Sequence, residues 1–221
     1  MKFSTAVLGL AAIAQSASAH YIFTTLIAGS NTSTAAVRTP KENSPVPDYK
    51  GTDVRCNVNT SPATETASVA AGSKIGFGVG ENKKIFHLGP AAMYLGQAPG
   101  LAADWDGSGQ NWFKIAEWGA TFDPFSFSSL DKSEFTVTIP PQVPSGEYLV
   151  RMEQVGLQQP GLPEYYVSCA QVKITDGGSD TPAKVEIPGY VAQNDPSIMI
   201  NIFDTKPTSY KVPGPDVYYG F

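Results

Sequence analysis

The chain has 221 residues, with 15 basic and 20 acidic side chains and a formal net charge of −5. Such a mildly acidic surface argues against nucleic acid and anionic membranes, which both select basic patches. Cys56 and Cys169 lie 113 positions apart, which excludes a C-x-x-C redox pair and a compact zinc module.

Residues 1–19 read as an export leader. Lys2 is followed by an apolar run from Ala6 to Ala14, and Ala17 and Ala19 form the A-x-A pattern that a signal peptidase cuts after. Removing 19 of the 221 residues leaves 202, enough for one domain over 20–221 with a substantial core. No later apolar run approaches the ~20 residues of a membrane-spanning helix, and residues 218–221 lack the tail of a lipid-anchor signal. A secreted, soluble, monomeric protein is expected. In an oxidising compartment Cys56 and Cys169 are expected to form a disulfide, two buried free thiols being the alternative. Asn31 and Asn59 head N-x-S/T triplets and are candidate glycosylation sites.

Gly (21 residues) and Pro (18 residues) punctuate short β-like runs. A first strand is predicted over residues 20–27, followed by a polar, Pro-rich surface loop over 30–57. Residues 74–80 alternate with period two, as a half-buried strand does. The G-x-G-x-G at Gly76, Gly78 and Gly80 has no helix after it and reads as strand packing, not phosphate binding. Further strands are predicted over 91–96, 114–122, 134–139, 147–156, 165–175 and 197–203, with a Pro-rich turn over 140–146. No long amphipathic helix, repeat or interdomain linker interrupts them. The pattern predicts an all-β, antiparallel β-sandwich with long surface loops.

The chain has only two histidines, His20 and His87. Cleavage after Ala19 makes His20 the first residue, with a free α-amine and an imidazole that can close a chelate ring on one metal. With the His87 imidazole this gives three nitrogen donors, a set that suits copper more than zinc. Tyr165 or Tyr166 could supply an axial oxygen; equally, both could be core residues of a strand. The G-x-S-x-G and H-E-x-x-H motifs are absent, and with both histidines on metal none remains for a Ser-His-Asp triad. Paired carboxylates for glycoside hydrolysis stay open among twenty acids.

Many short motifs in order then carry a family resemblance: His20 after the leader, residues 36–46, 53–57, 87–90 with Tyr94, 112–115, 144–153, 166–171, 187–189, 201–203 and 212–215. Over nearly its whole mature length the chain resembles fungal lytic polysaccharide monooxygenases of auxiliary activity family nine. The resemblance implies an immunoglobulin-like sandwich with a flat substrate face. It implies one copper ion held by the amine and ring of His20 and the ring of His87, with Tyr166 axial. It further implies use of O2 or H2O2 and an external electron donor to oxidise C1 or C4 of a β-1,4-glucan surface. Tyr218, and secondarily Tyr21, would stack on that glucan.

Two positions depart from the family's pattern. Gln158 stands where members usually carry a histidine, and Glu164 where they carry a glutamine two residues before the axial tyrosine. Both are assigned catalytic roles beside Tyr166, since a glutamine amide cannot titrate and a carboxylate near copper could accept protons, bind the metal or favour Cu(II) over Cu(I); copper binding is expected to survive with oxidative turnover altered. Two other readings follow: a secreted copper-binding protein with little polysaccharide oxidation, and an adhesive sandwich whose histidines are incidental.

Overall fold

The structure, a computed structural model, describes residues 20–58, 60–204 and 207–220. The leader and Asn59 lie outside the described residues. The strands are β1 (Phe23–Ala28), β2 (Asn31–Ser33), β3 (Val37–Arg38), β4 (Ala67–Ala70), β5 (Lys74–Val79), β6 (Ala91–Gln97) and β7 (Gln110–Trp118). They continue as β8 (Ala120–Thr121), β9 (Ser126–Phe127), β10 (Glu134–Thr138), β11 (Gly146–Gly156), β12 (Glu164–Thr175) and β13 (Val185–Glu186).

The strands build two packed sheets and a separate two-stranded ribbon, β8-β9. The smaller of the two packed sheets has the order β10-β5-β1-β2, the larger β13-β7-β6-β11-β12-β3. Pairing is antiparallel throughout except that β4 runs parallel to β12. The expected sandwich is therefore present, with one parallel edge pair. Phe23, Leu26, Phe77 and Phe135 of the small sheet meet Met93, Phe113, Val150 and Met152 of the large one in a dry core. A second apolar layer covers the outer face of the large sheet, where Trp112, Leu149 and Val167 meet loop residues Val46, Val54, Ile187 and Ile198. Because both of its faces are covered, β11 and β12 are buried almost end to end and lose the polar–apolar alternation of a half-exposed strand.

The glycines of β5 behave as strand packing requires. A Cβ at Gly76 would fall 2.1 Å from the Phe135 carbonyl oxygen of the neighbouring strand. The disulfide expected between Cys56 and Cys169 is formed and ties a short 3-10 turn over 52–54 to β12. Asn31 is exposed at the edge strand β2.

The predicted strand over 197–203 is corrected to a short helix, α1 (Pro196–Met199), followed by turns. Its start is chemically defined: Asp195 Oδ1 accepts hydrogen bonds from the Ser197 N–H (2.9 Å) and hydroxyl (2.6 Å), and Pro196 presets the first helical φ. The strand expected over 114–122 begins earlier, at Gln110, and ends at Trp118.

The hairpin of β11 and β12 positions the site. Gln154 pairs with Tyr166 and Gly156 with Glu164 at its closed end, and period two puts Tyr166 on the inner face and Tyr165 on the outer. The N-terminal end of β1 and the loop before β6 converge on the same end.

Candidate metal centre

His20 is delivered by β1. Phe23 pairs with Val79, and the Gly80 N–H donates to the Ile22 carbonyl (2.8 Å), which carries the strand's alignment almost to the first described residue. Tyr21 fixes the remaining step. Its ring is 2% exposed and stacks on Tyr166 at 4.5 Å, and its hydroxyl donates to Gln154 Oε1. With Tyr21 pinned in this way, His20 lies near Tyr166, the ring centroids 6.2 Å apart and the planes tilted by 40°.

His87 is held by the loop that enters β6. The Val155 N–H donates to Pro90 O (2.9 Å) and the Leu157 N–H to Leu88 O (2.8 Å), strapping the loop against the end of β11. Ser129, fully buried, donates its hydroxyl to Gly89 O at 2.6 Å. Gly89 has no room for a side chain: an added Cβ would lie 1.7 Å from Val155 O.

Three donors then converge. Tyr166 Oη lies 3.1 Å from His87 Nε2 and donates its proton to Glu164 Oε2 at 2.8 Å. Gln158 Nε2 donates to the same carboxylate oxygen at 2.5 Å, and that oxygen is 4.0 Å from His87 Nε2. Burial chiefly, then the hydrogen bond to Glu164 and its charge, pushes the Tyr166 phenol far above its ordinary range, so it stays protonated. Burial, aided by Tyr166 and Glu164, does the same to Tyr21.

These donors fit a metal on their chemistry. Among the described residues no group of three or more His, Cys, Asp or Glu side chains is arranged for a metal ion. A metal here must instead draw on donors outside that set, the phenol of Tyr166 and the α-amine that His20 acquires on processing. Imidazole and amine nitrogens with a neutral phenol oxygen make a copper set. One phenol proton cannot serve both Glu164 and His87. With it committed to Glu164, His87 Nε2 either donates to Tyr166 or turns its lone pair to a cation.

The structure thus gathers His20, His87, Tyr166, Glu164 and Gln158 at one end of the sandwich. It corrects both tyrosines expected to meet substrate. Tyr21 is buried under the site and offers no face to solvent. Tyr218 is elsewhere: its N–H donates to Lys114 O (2.8 Å), its hydroxyl donates to Asp180 Oδ2 (2.7 Å), and its ring meets Phe113 edge-on. Asp180 is bonded to Gln142 of the turn leading into β11, whereas His87 sits where β11 ends, roughly 20 Å or more along the strand. Sequence reasoning passed over Phe86. Its ring is 45% exposed and lies 4.2 Å from the His87 ring; the available signal was its place next to one of only two histidines. A cavity of about 480 Å³ bounded by Asp195, Tyr210 and Gly214 contains none of these residues.

The sequence profile of Auxiliary Activity family 9 (formerly GH61) matches residues 20–210. The chain belongs to that family. It is 43% identical over 226 residues to AA9 family lytic polysaccharide monooxygenase H of Malbranchea cinnamomea, covering 96% of this chain and 97% of the relative. It is 41% identical over 225 residues to monooxygenase C of Emericella nidulans, covering 95% and 96%. The crystal structure of a cellulose-active polysaccharide monooxygenase from M. thermophila is similar with a TM-score of 0.79 at 30% identity, over 91% of this chain and all of that one. In this AA9 chain the profile match begins at His20.

Gly89→Ala is expected to cost about 1–3 kcal/mol, because the Val155 carbonyl must move to admit a methyl group. Denaturant unfolding measures it, and an unchanged midpoint would mean the His87 loop is not strapped as described.

Proposed function

We propose that the processed chain is a secreted, monomeric copper monooxygenase that oxidises a β-1,4-glucan such as cellulose at C1 or C4, drawing electrons from an external donor. The observation that carries this reading is the convergence of His87 Nε2 on Tyr166 Oη at 3.1 Å, with His20 near the same tyrosine, in a chain of this family. The amine and ring of His20 and Nε2 of His87 would hold the ion, with the Tyr166 hydroxyl beside them. When bound, copper supplies the one-electron chemistry that activates O2 or H2O2 for insertion of oxygen into a C–H bond. With H2O2 the change is C–H to C–OH with release of water; with O2 it also consumes two electrons and two protons from outside.

The protein's own residues position these parts. Tyr21 and Gln154 fix the N-terminal segment, and the Gly89 loop fixes His87. Tyr166 stays neutral and would present its hydroxyl to an ion held by His87. Phe86 presents an exposed aromatic face beside His87, suited to the apolar face of a sugar ring. The reading of a copper-binding protein with little oxidation is kept by one observation, the Glu164 carboxylate 4.0 Å from His87 Nε2.

Copper-loaded processed protein, amorphous cellulose, ascorbate and a low peroxide feed are expected to yield oxidised oligosaccharides by mass spectrometry, and His20→Ala to yield none. Absence of products from copper-bound protein would favour the second reading. Phe86→Ala is expected to weaken cellulose binding by roughly fivefold, about 1 kcal/mol, in a pull-down isotherm. Unchanged binding would remove Phe86 from the substrate face.

A further inference from the structure

The Glu164 carboxylate is fixed in place beside the nitrogen that faces the metal. It opens β12 opposite Gly156, so its backbone is set by the hairpin. Its Oε2 accepts from both the Tyr166 hydroxyl (2.8 Å) and Gln158 Nε2 (2.5 Å), and Oε1 lies 3.4 Å from Gln159 Nε2. The groups around it are donors, so both carboxylate oxygens are held in place as acceptors. The side chain is 22% exposed, and among the described residues no lysine or arginine pairs with it; its ion-pair neighbour is His87. An ion bonded to Nε2 therefore sits within a few ångströms of a carboxylate that no lysine or arginine among the described residues pairs with. Coulomb attraction at such range in a partly desolvated site is strong and grows with the ion's charge. It acts more on a divalent than on a monovalent ion.

We propose that Glu164 is a positioning and charge-setting residue for the copper site, holding the bound ion in its divalent state and making its reduction harder. This rests on the copper reading above. Tyr166 takes part, since its hydroxyl is drawn to Glu164 and its oxygen lone pairs are left facing His87 and the ion. Gln158 takes part by anchoring the carboxylate from the other side. The effect lies in charge, not in shape, because glutamine has the same outline as glutamate and can still accept from Tyr166.

The test uses the processed protein with its native N-terminus, titrated separately with Cu(II) and with Cu(I) under anaerobic conditions. Reduction potential and electron paramagnetic resonance are read on the same samples. In Glu164→Gln the ratio of Cu(II) to Cu(I) affinity is expected to fall about tenfold, which raises the potential by about 59 mV. Glu164→Asp, which keeps the charge, is expected to stay within about threefold of the parent ratio. An unchanged ratio in Glu164→Gln overturns the proposal, as does an equal shift in both variants, which would trace the effect to shape. If the parent protein binds no copper through His20, the functional reading itself fails. Copper bound through His20 with a ratio indifferent to Glu164 overturns only the present inference.

Discussion

The stacking of Tyr21 on Tyr166 is the contact on which the site depends. A chelating first residue is useful only if the chain's end is held, and chain ends are ordinarily the least ordered part of a domain. Here the second residue of the processed chain is buried to 2% exposure, ring against ring at 4.5 Å, with its hydroxyl on Gln154. That couples the N-terminus to β11 and β12 at once. His20 then has little freedom, and Tyr166 is braced from behind while its oxygen points at His87. The same contact explains why both phenols remain neutral: each is desolvated, and each feels the Glu164 charge.

The fold carries this arrangement with few devices. A large sheet covered on both faces gives a rigid hairpin, and the closed end of that hairpin supplies Gln154, Glu164 and Tyr166. Loop strapping through Pro90, Leu88 and Gly89 brings His87 to the same end. The disulfide between Cys56 and Cys169 secures the outer layer against β12. The gathered side chains lie at one end, and Tyr218 is engaged instead with Lys114 of β7 and with Asp180.

Much of the site was legible in the sequence because its parts are chemically rare. Two histidines, one at a cleavage point, leave few ways to build a metal centre, and period two places Tyr166 and Glu164 on one side of a strand. The strands at 74–79, 134–138 and 146–156 were legible from alternation or from flanking turns. Other features depend on tertiary context. Tyr21 reads as a surface aromatic next to the site, and only the stacking on Tyr166 shows it to be interior. Tyr218 follows a Pro-Gly-Pro turn that suggests a loop tip, yet its N–H bonds to Lys114 of β7 and its ring packs, partly buried, against Phe113. Phe86 beside a histidine reads as core, and its exposure depends on the strapped loop. The apolar run 197–203 looks like a strand until Asp195 caps Pro196 and Ser197 as a helix.

In the proposed copper site the α-amine of His20 is the donor that would tie processing, fold and chemistry together. It can be removed without touching any side chain. Copper(II) affinity should be compared between protein beginning at His20 and protein that retains Ala19 in front of it. Retention of that one residue is expected to weaken binding by more than the ~10–100-fold typical of outer partners at metal sites, because a chelating nitrogen becomes an amide. Equal affinities for the two forms would contradict a metal centre built on the chain's first residue.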